Sequence, residues 1–407
     1  MQKKATVTII FLTVFLDLLG FGMVLPLMPI YASDARFLAS PAEIGWLMAI
    51  YSLMQFLFAP LWGRLSDRVG RRPVLIIGLF GSAISYLVYG LAGSLLVLFL
   101  SRGMAGFMGA NIAAAQAAMA DITPPEKRAQ GMGIIGAAFS LGFVLGPAMG
   151  GLLAGYGAET APLVAAVITG MNAVAAIFFL AETRDLSHEE GPITKRAHPL
   201  SLHPWQQAKA FPGALMVCIF MGLFITLFAA FEVTLPLWSQ IVMEWTEDSV
   251  VMSETGYLFA YVGIVMAIVQ GGVVRRLVPK WGEKRTALTG MFLISMGLML
   301  LANAGGYTAL LISLGLAATG AGLVHPGLSS LVSLNTDEDK QGLMMGLFQS
   351  MSALGRVIGP VWGGALFTLL QGKIFLISAV GLAVMLGLFI PLSRERIKDV
   401  REINETA

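Results

Sequence analysis

A run of about 20 apolar residues, the length of helix that crosses a bilayer core, begins near Thr6 and returns with short polar breaks as far as Leu392. Nothing else in the chain limits its folding as much. The spans fall near Thr6–Pro29, Glu43–Gly63, Pro73–Ala92, Ser94–Met119, Gly131–Ala154 and Ala161–Leu180. After a polar stretch they resume near Pro212–Trp238, Ser253–Val274, Thr286–Ala302, Tyr307–Leu334, Leu343–Leu370 and Phe375–Leu392. Lipid offers backbone groups no partners, so each span must pair its own N–H and C=O groups as a helix. The predicted fold class is all-α and integral to a membrane, with twelve transmembrane helices. The polar stretch divides the chain into residues 1–181, a linker 182–209, and residues 210–407.

Composition points the same way: 57% of residues are hydrophobic and 12% charged, about half the charged share usual in soluble domains. A net charge of +2 implies neither a nucleic-acid nor an acidic partner. Of the 26 Lys and Arg residues, only Arg36 and Lys373 fall in loops opposite the N-terminus, and only Arg102 and Arg356 within spans. By the positive-inside rule, both termini and the linker are expected in the cytoplasm. The stretch after Lys3 and Lys4 carries Asp17 and lacks a small-residue cleavage site, so it reads as a first span rather than a signal peptide. The single cysteine, Cys218, excludes an intramolecular disulfide and a cysteine metal cluster. His188, His198 and His203 sit in the linker at spacings that fit no metal template. No cofactor or metal is expected, and the absence of a G-x-x-x-x-G-K-[ST] loop argues against ATP as the energy source.

The two halves resemble each other. A shift of 213 positions lays Gly142, Gly146, Pro147, Gly150 and Gly151 on Gly355, Gly359, Pro360, Gly363 and Gly364, and also Lys127 on Lys340 and Gly133 on Gly346. Both copies read G-x-x-x-G-P-x-x-G-G, one span before the end of each half. Their spans have equal numbers of predecessors, so the repeat is parallel, and two six-helix bundles are expected to enclose a central cavity near the midplane.

Between the second and third spans stands GRLSDRVGRRP, Gly63 to Pro73, which resembles the signature loop of the major facilitator superfamily. Gly63 and Gly70 suit a tight reversal, Asp67 is placed to accept hydrogen bonds from a helix N-terminus, and Arg68, Arg71 and Arg72 suit anchoring at the cytoplasmic face. The resemblance implies a conformational latch of these residues, to which Asp121 at the end of the fourth span is assigned. A second copy keeps Gly272, Arg275, Arg276, Gly282, Lys284 and Arg285 but has no Asp to match Asp67, so the latch is read as asymmetric. Arg102, Gly106, Gly109 and Ala110 resemble the family's R-x-x-x-G motif, and the Gly142–Gly151 run resembles its antiporter motif. These glycines equally suit close helix packing. The first span, FLDLLGFGMVLPLMPIY, is similar to that of bacterial drug:proton antiporters, the tetracycline-efflux proteins in particular. Ser85 and Ile294 stand where those proteins carry an acid, which points away from tetracycline itself.

Asp17, Arg102, Glu232, His325 and Arg356 fall inside apolar spans. A charge at a helix centre costs about 2.5–3.5 kcal/mol on insertion scales, so such residues should pair or face water. Asp17 with Arg102 and Glu232 with Arg356 are the pairs expected, either as fixed ion pairs setting helix register or as proton switches. Asp17, Arg102 and Glu232 are the candidates for proton coupling. Asp17, Glu232, His325 and Arg356 are the candidates to line the substrate cavity. His325 precedes Pro326, where a helix break is expected. Met48, Met54, Phe56, Phe220 and Phe224 are offered as lining for a lipophilic pocket, and Pro26, Pro29 and Pro236 as sites of bending.

The function expected is proton-coupled export of small lipophilic compounds by alternating access, as multidrug efflux conferring antibiotic resistance in a bacterial cytoplasmic membrane. Its partners are the substrate, protons and the bilayer, and the resemblance implies a monomer. The alternative is a transporter of the same fold that exports or co-transports a metabolite such as a sugar or peptide. No nucleophile and base constellation for an enzyme appears within the spans.

Overall fold

The computed structural model describes residues 2–123, 128–184, 202–337 and 340–396. Lys127 and most of the linker, with His188 and His198, lie outside them. The helices are α1 (Gln2–Val24), α2 (Met28–Ser33), α3 (Pro41–Val69), α4 (Arg71–Gly90), α5 (Leu95–Gly109), α6 (Ile112–Ile122), α7 (Arg128–Ala154) and α8 (Thr160–Phe179). Then come α9 (Leu202–Ala208), α10 (Pro212–Val242), α11 (Asp248–Ile268), α12 (Arg275–Leu301), α13 (Tyr307–Leu334), α14 (Gln341–Leu370) and α15 (Lys373–Arg396).

Among the described residues ten segments are long and apolar enough to cross a membrane. One of them runs 52 residues, Val250–Leu301, and is two spans, because the backbone leaves helical geometry at Gly282, φ 79°. With the 27-residue α7, the described helices fit the twelve spans expected. Lipid exposure is written on the helix faces. On α4 the outward stripe is Ile77, Phe80, Ile84 and Leu87, while Ser82, Ser85, Tyr86 and Tyr89 are buried. On α8, Val167, Met171, Val174 and Phe178 face out while Thr169 and Asn172 are buried. Apolar residues outside and polar ones inside, at helical spacing, invert the pattern of a soluble bundle.

Local breaks follow from residue chemistry. The first span stops at Val24 and restarts as α2, because Pro26 cannot donate and disfavours helical geometry in the residue before it, whereas Pro29 sits in the first turn of α2, where its missing N–H has no intrahelical partner to lose. The fourth span is interrupted after Gly109, and the Gln55 amide donates to the freed Gly109 carbonyl at 3.2 Å. Val269–Val274 winds as a π-helical turn. The break expected at His325–Pro326 does not occur, because α13 runs 28 residues through Pro326. Continuing through one proline orphans a single carbonyl, whereas ending the helix would orphan a whole turn of backbone groups. Pro236 likewise stays inside α10.

The chain forms two compact units. Unit one holds Met1–Leu38, Ile50–Leu200 and Met252–Ala260, and unit two holds Ala39–Ala49, Ser201–Val251 and Tyr261–Ala407. In unit one α1 packs on α7 and α8 and α4 on α5 and α8, and in unit two α10 packs on α14 and α12 on α13. Phe220 and Phe224 belong to the core of unit two, Phe220 edge-on to Phe389 at 5.1 Å.

Candidate functional site

The repeated glycine motif positions the acidic helix. Gly142, Gly146 and Gly150 fall four residues apart, on one stripe of α7. A Cβ on Gly142 would lie 2.7 Å from Leu18, and one on Gly146 would lie 2.6 Å from the Gly22 Cα; Gly150 abuts the Met23 carbonyl. The stripe therefore holds the backbone of α1 directly beyond Asp17. Gly151 turns to another neighbour, Gly256, in the segment 252–260 of the same unit. The second copy behaves alike within unit two: Gly355, Gly359 and Gly363 meet α10 at Gly222, Thr226 and Ala230, while Gly364 meets Pro41 and Gly45. Successive residues of a helix point about 100° apart, so the G-G pair lets two different backbones approach one point on the helix.

Asp17 stands two-thirds of the way along α1, half-buried, and lines a small hollow with Thr13, Leu75, Leu79 and Asn111. One turn below, Asn172 Nδ2 donates to the Thr13 carbonyl at 3.0 Å and ties α1 to α8. Arg102 is 1% exposed, yet no ion pair joins it to Asp17 among the described residues. Its guanidinium lies instead 4.9 Å from the centre of the Tyr51 ring and 5.7 Å from that of Phe21. The expected pair is thus replaced by aromatic faces, which attract the cation but leave its Nε and Nη2 without a hydrogen-bond acceptor among the described residues. The R-x-x-x-G spacing explains the seat: Gly106, one turn beyond Arg102, meets the Tyr51 carbonyl and brings α3 close enough for its ring to reach the arginine. Tyr86, on the buried face of α4, lies within electrostatic reach of both Asp17 and Arg102.

In unit two, Glu232 on α10 lies in the field of Arg356 on α14. His325 on α13 lies in the same field and meets Phe348 edge-on at 5.8 Å. Glu232 and Arg356 are half-buried, and His325 is exposed. Arg356 is thus the cation whose field reaches both Glu232 and His325. Ser85 donates to the Gly81 carbonyl at 2.6 Å, and Ile294 is fully buried, so neither position supplies an acid.

The latch residues gather differently from their expected roles. Gly63 is helical, within α3, and the reversal falls on Gly70 alone, φ 102°. Arg71 is buried rather than surface-anchoring, and its guanidinium pairs with Asp67 at 2.6 Å and Asp121 at 2.9 Å. Glu182 serves the helix N-terminus, accepting from the Arg71 N–H at 2.8 Å and the Arg72 N–H at 3.1 Å. Its carboxylate occupies the space a Cβ on Gly70 would need, so glycine is required there twice over. Sequence reading placed Glu182 in the linker. The signal that points to it is α4 itself, a helix opening on Gly-Arg-Arg with no capping side chain of its own and a need for an acceptor from elsewhere. In the second copy Gly282 repeats the positive φ, and the next residue is the buried Glu283, which accepts from Ser330 Oγ at 3.3 Å. Arg71→Ala is expected to cost about 1.5–3 kcal/mol, the worth of hydrogen bonds to charged groups. Thermal unfolding of the purified protein reads this as a lowered midpoint, with Arg71→Lys between the two because it keeps charge but loses the fork.

Over residues 10–360 and 253–406 the chain matches the family model described as Major Facilitator Superfamily. It is 35% identical over 366 residues to the tetracycline resistance protein, class C, of Escherichia coli, with 89% of each chain covered. It is 34% identical over 380 residues to the class G tetracycline resistance protein of Vibrio anguillarum, covering 91% of this chain and 92% of that one. Among solved structures, the human organic anion transporter MFSD10 matches with a TM-score of 0.70 at 28% identity, over 95% of this chain and 99% of that one.

Proposed function

The chain belongs to the major facilitator superfamily and is a multi-pass membrane transporter rather than an enzyme, and we propose that it exports small lipophilic compounds in exchange for protons by alternating access. The observation that carries this reading is Asp17, a half-buried carboxylate within an apolar helix that has no counter-ion fixed to it among the described residues. A carboxylate so placed changes charge when its surroundings gain or lose water, since desolvation favours the neutral acid and nearby cations the anion. Arg102, fixed against its rings, supplies a constant field for that change. Glu232 beside Arg356 and His325 is the second titratable group, and with them it offers polar contacts to a substrate.

The relatives named for tetracycline resistance support drug efflux as the class. Ser85 and Ile294 leave two positions without a carboxylate, so the proposed substrates are lipophilic compounds held without acids there. The halves 1–181 and 210–407 are the moving bodies, with the Asp67–Arg71–Asp121 cluster as latch. The protein acts as a monomer in a bacterial cytoplasmic membrane, with both termini in the cytoplasm. A susceptibility panel that includes tetracycline, run in a host stripped of its own efflux pumps, tests the class: raised tolerance to several lipophilic compounds is expected. Tolerance to none of them, at verified expression, removes drug export from consideration.

A further inference from the structure

We propose that a line of buried tyrosines in unit one, together with Arg102, holds a file of water through which protons reach Asp17 from the surface around Arg36. The inference rests on the reading of Asp17 as the proton carrier. Its basis is a concentration of unmatched polar atoms. Tyr31 Oη, Tyr89 Oη, and Arg102 Nε and Nη2 have no partner among the described residues, although Tyr31 and Tyr89 are each 2% exposed and Arg102 is 1% exposed. Buried polar groups are nearly always hydrogen-bonded, and internal water is the usual partner when side chains are not.

The residues that carry these atoms are linked pairwise. Tyr31 stacks on Tyr89 with ring centres 5.2 Å apart. Tyr89 lies in the field of Arg102, and Tyr86, one turn below Tyr89 on the same face of α4, lies in reach of both Arg102 and Asp17. At the outer end, Arg36 sits 5.4 Å from the centre of the Tyr31 ring and holds Asp34 at 3.1 Å and Glu159 at 3.6 Å. These two carboxylates are at least partly open to water and can collect protons from it. At the inner end Asp17 meets the hollow it shares with Thr13 and Asn111.

A hydroxyl or water in such a file accepts one hydrogen bond and donates another, so it passes a proton on without net change. One proton leaves the outer water, and the Asp17 carboxylate takes one and becomes neutral. Arg102 makes the file self-limiting. While Asp17 is ionised its charge offsets the guanidinium, but once Asp17 is neutral the uncompensated cation repels a second proton, as fixed cations do in water pores.

The test uses vesicles in which the full chain is reconstituted with its outer face outward, and the probe is the proton itself. After an external acid pulse, time-resolved infrared spectroscopy follows the carboxylic acid C=O band that Asp17→Asn lacks. In the Tyr31→Phe/Tyr89→Phe double variant the band is expected to rise at least roughly tenfold more slowly, in line with the rate worth of a positioned proton-transfer group, and to reach the same final height. Phe keeps the ring stacking and removes only unmatched hydroxyls, so the unfolding midpoint should hold; if the double variant fails to fold, Tyr89→Phe alone carries the measurement. A wild-type rise in the tyrosine variants overturns the file and leaves Asp17 as carrier. The absence of any band that depends on Asp17 overturns the carrier and the file together.

Discussion

Replacing Asp17 by Asn is expected to leave the protein folded in its membrane while its substrate accumulation ratio falls from as much as about 500 to about 1. The upper figure is the ceiling for one-to-one exchange of a neutral compound: about 2.3 kcal/mol per proton from 100 mV plus about 1.4 kcal/mol from one pH unit. Asn has the shape of the protonated acid but cannot release a proton, so a cycle that must load and unload one stops being driven. Passive equilibration of substrate remains open to it. Folding is spared because Asp17 makes no ion pair among the described residues, and α1 is held instead by the glycine stripe of α7 and by Asn172. Exchange of labelled substrate at equilibrium should therefore survive in the variant. The measurement is accumulation in energised vesicles at matched expression, and a wild-type ratio in Asp17→Asn would remove this carboxylate from the coupling.

What the sequence made legible is what lipid and close packing enforce. The spans are visible because each backbone group in hydrocarbon must be paired within its own helix, which leaves an uninterrupted apolar run. The motif Gly142–Gly151 and its copy at Gly355–Gly364 are visible because only glycine fits where a Cβ would strike a neighbouring backbone. Interruptions within spans were harder to place. Pro326 looked like a break but lies inside α13, while the interruption after Gly109 and the π-helical turn at Val269–Val274 carry no proline at all. A proline's effect depends on what rescues its orphaned carbonyl, and that is a tertiary matter.

Charges within the spans were identifiable as residues but not as pairs. Arg102 and Asp17 sit on different helices, and helix rotation decides whether they meet. Gly106 brings α3 against α5, so the ring of Tyr51 takes the place beside the arginine. The same reason hid Glu182, whose role as acceptor for α4 depends on the end of α8 arriving beside Gly70, across more than 100 residues of chain. Tyr31, Tyr86 and Tyr89 are not legible as a group, because their chemistry lies in being buried together, which spacing along the chain does not disclose.

Gly146→Leu is expected to prevent the protein from assembling, and even Gly146→Ala should lower stability by about 1–3 kcal/mol, the usual cost of overpacking. A Cβ there would lie 2.6 Å from Gly22 Cα and 2.7 Å from its carbonyl carbon. Both obstacles are backbone, so no side-chain tip can swing aside and α1 must move off α7. Relief from the other side is closed, because Gly22 in turn faces the Gly142 carbonyl. A control on the same helix separates packing from helix propensity: Gly136 has nothing within 4 Å of its would-be Cβ, and Gly136→Ala should gain about 0.5–1 kcal/mol. Thermal unfolding of purified variants, followed by size-exclusion chromatography, measures both. Because the stripe meets α1 within a few residues of Asp17, any Gly146→Ala protein that folds should also couple poorly, with its accumulation ratio falling further than its lowered expression accounts for. Equal stability of Gly146→Ala and Gly136→Ala would mean that the glycine motif does not hold the acidic helix in place.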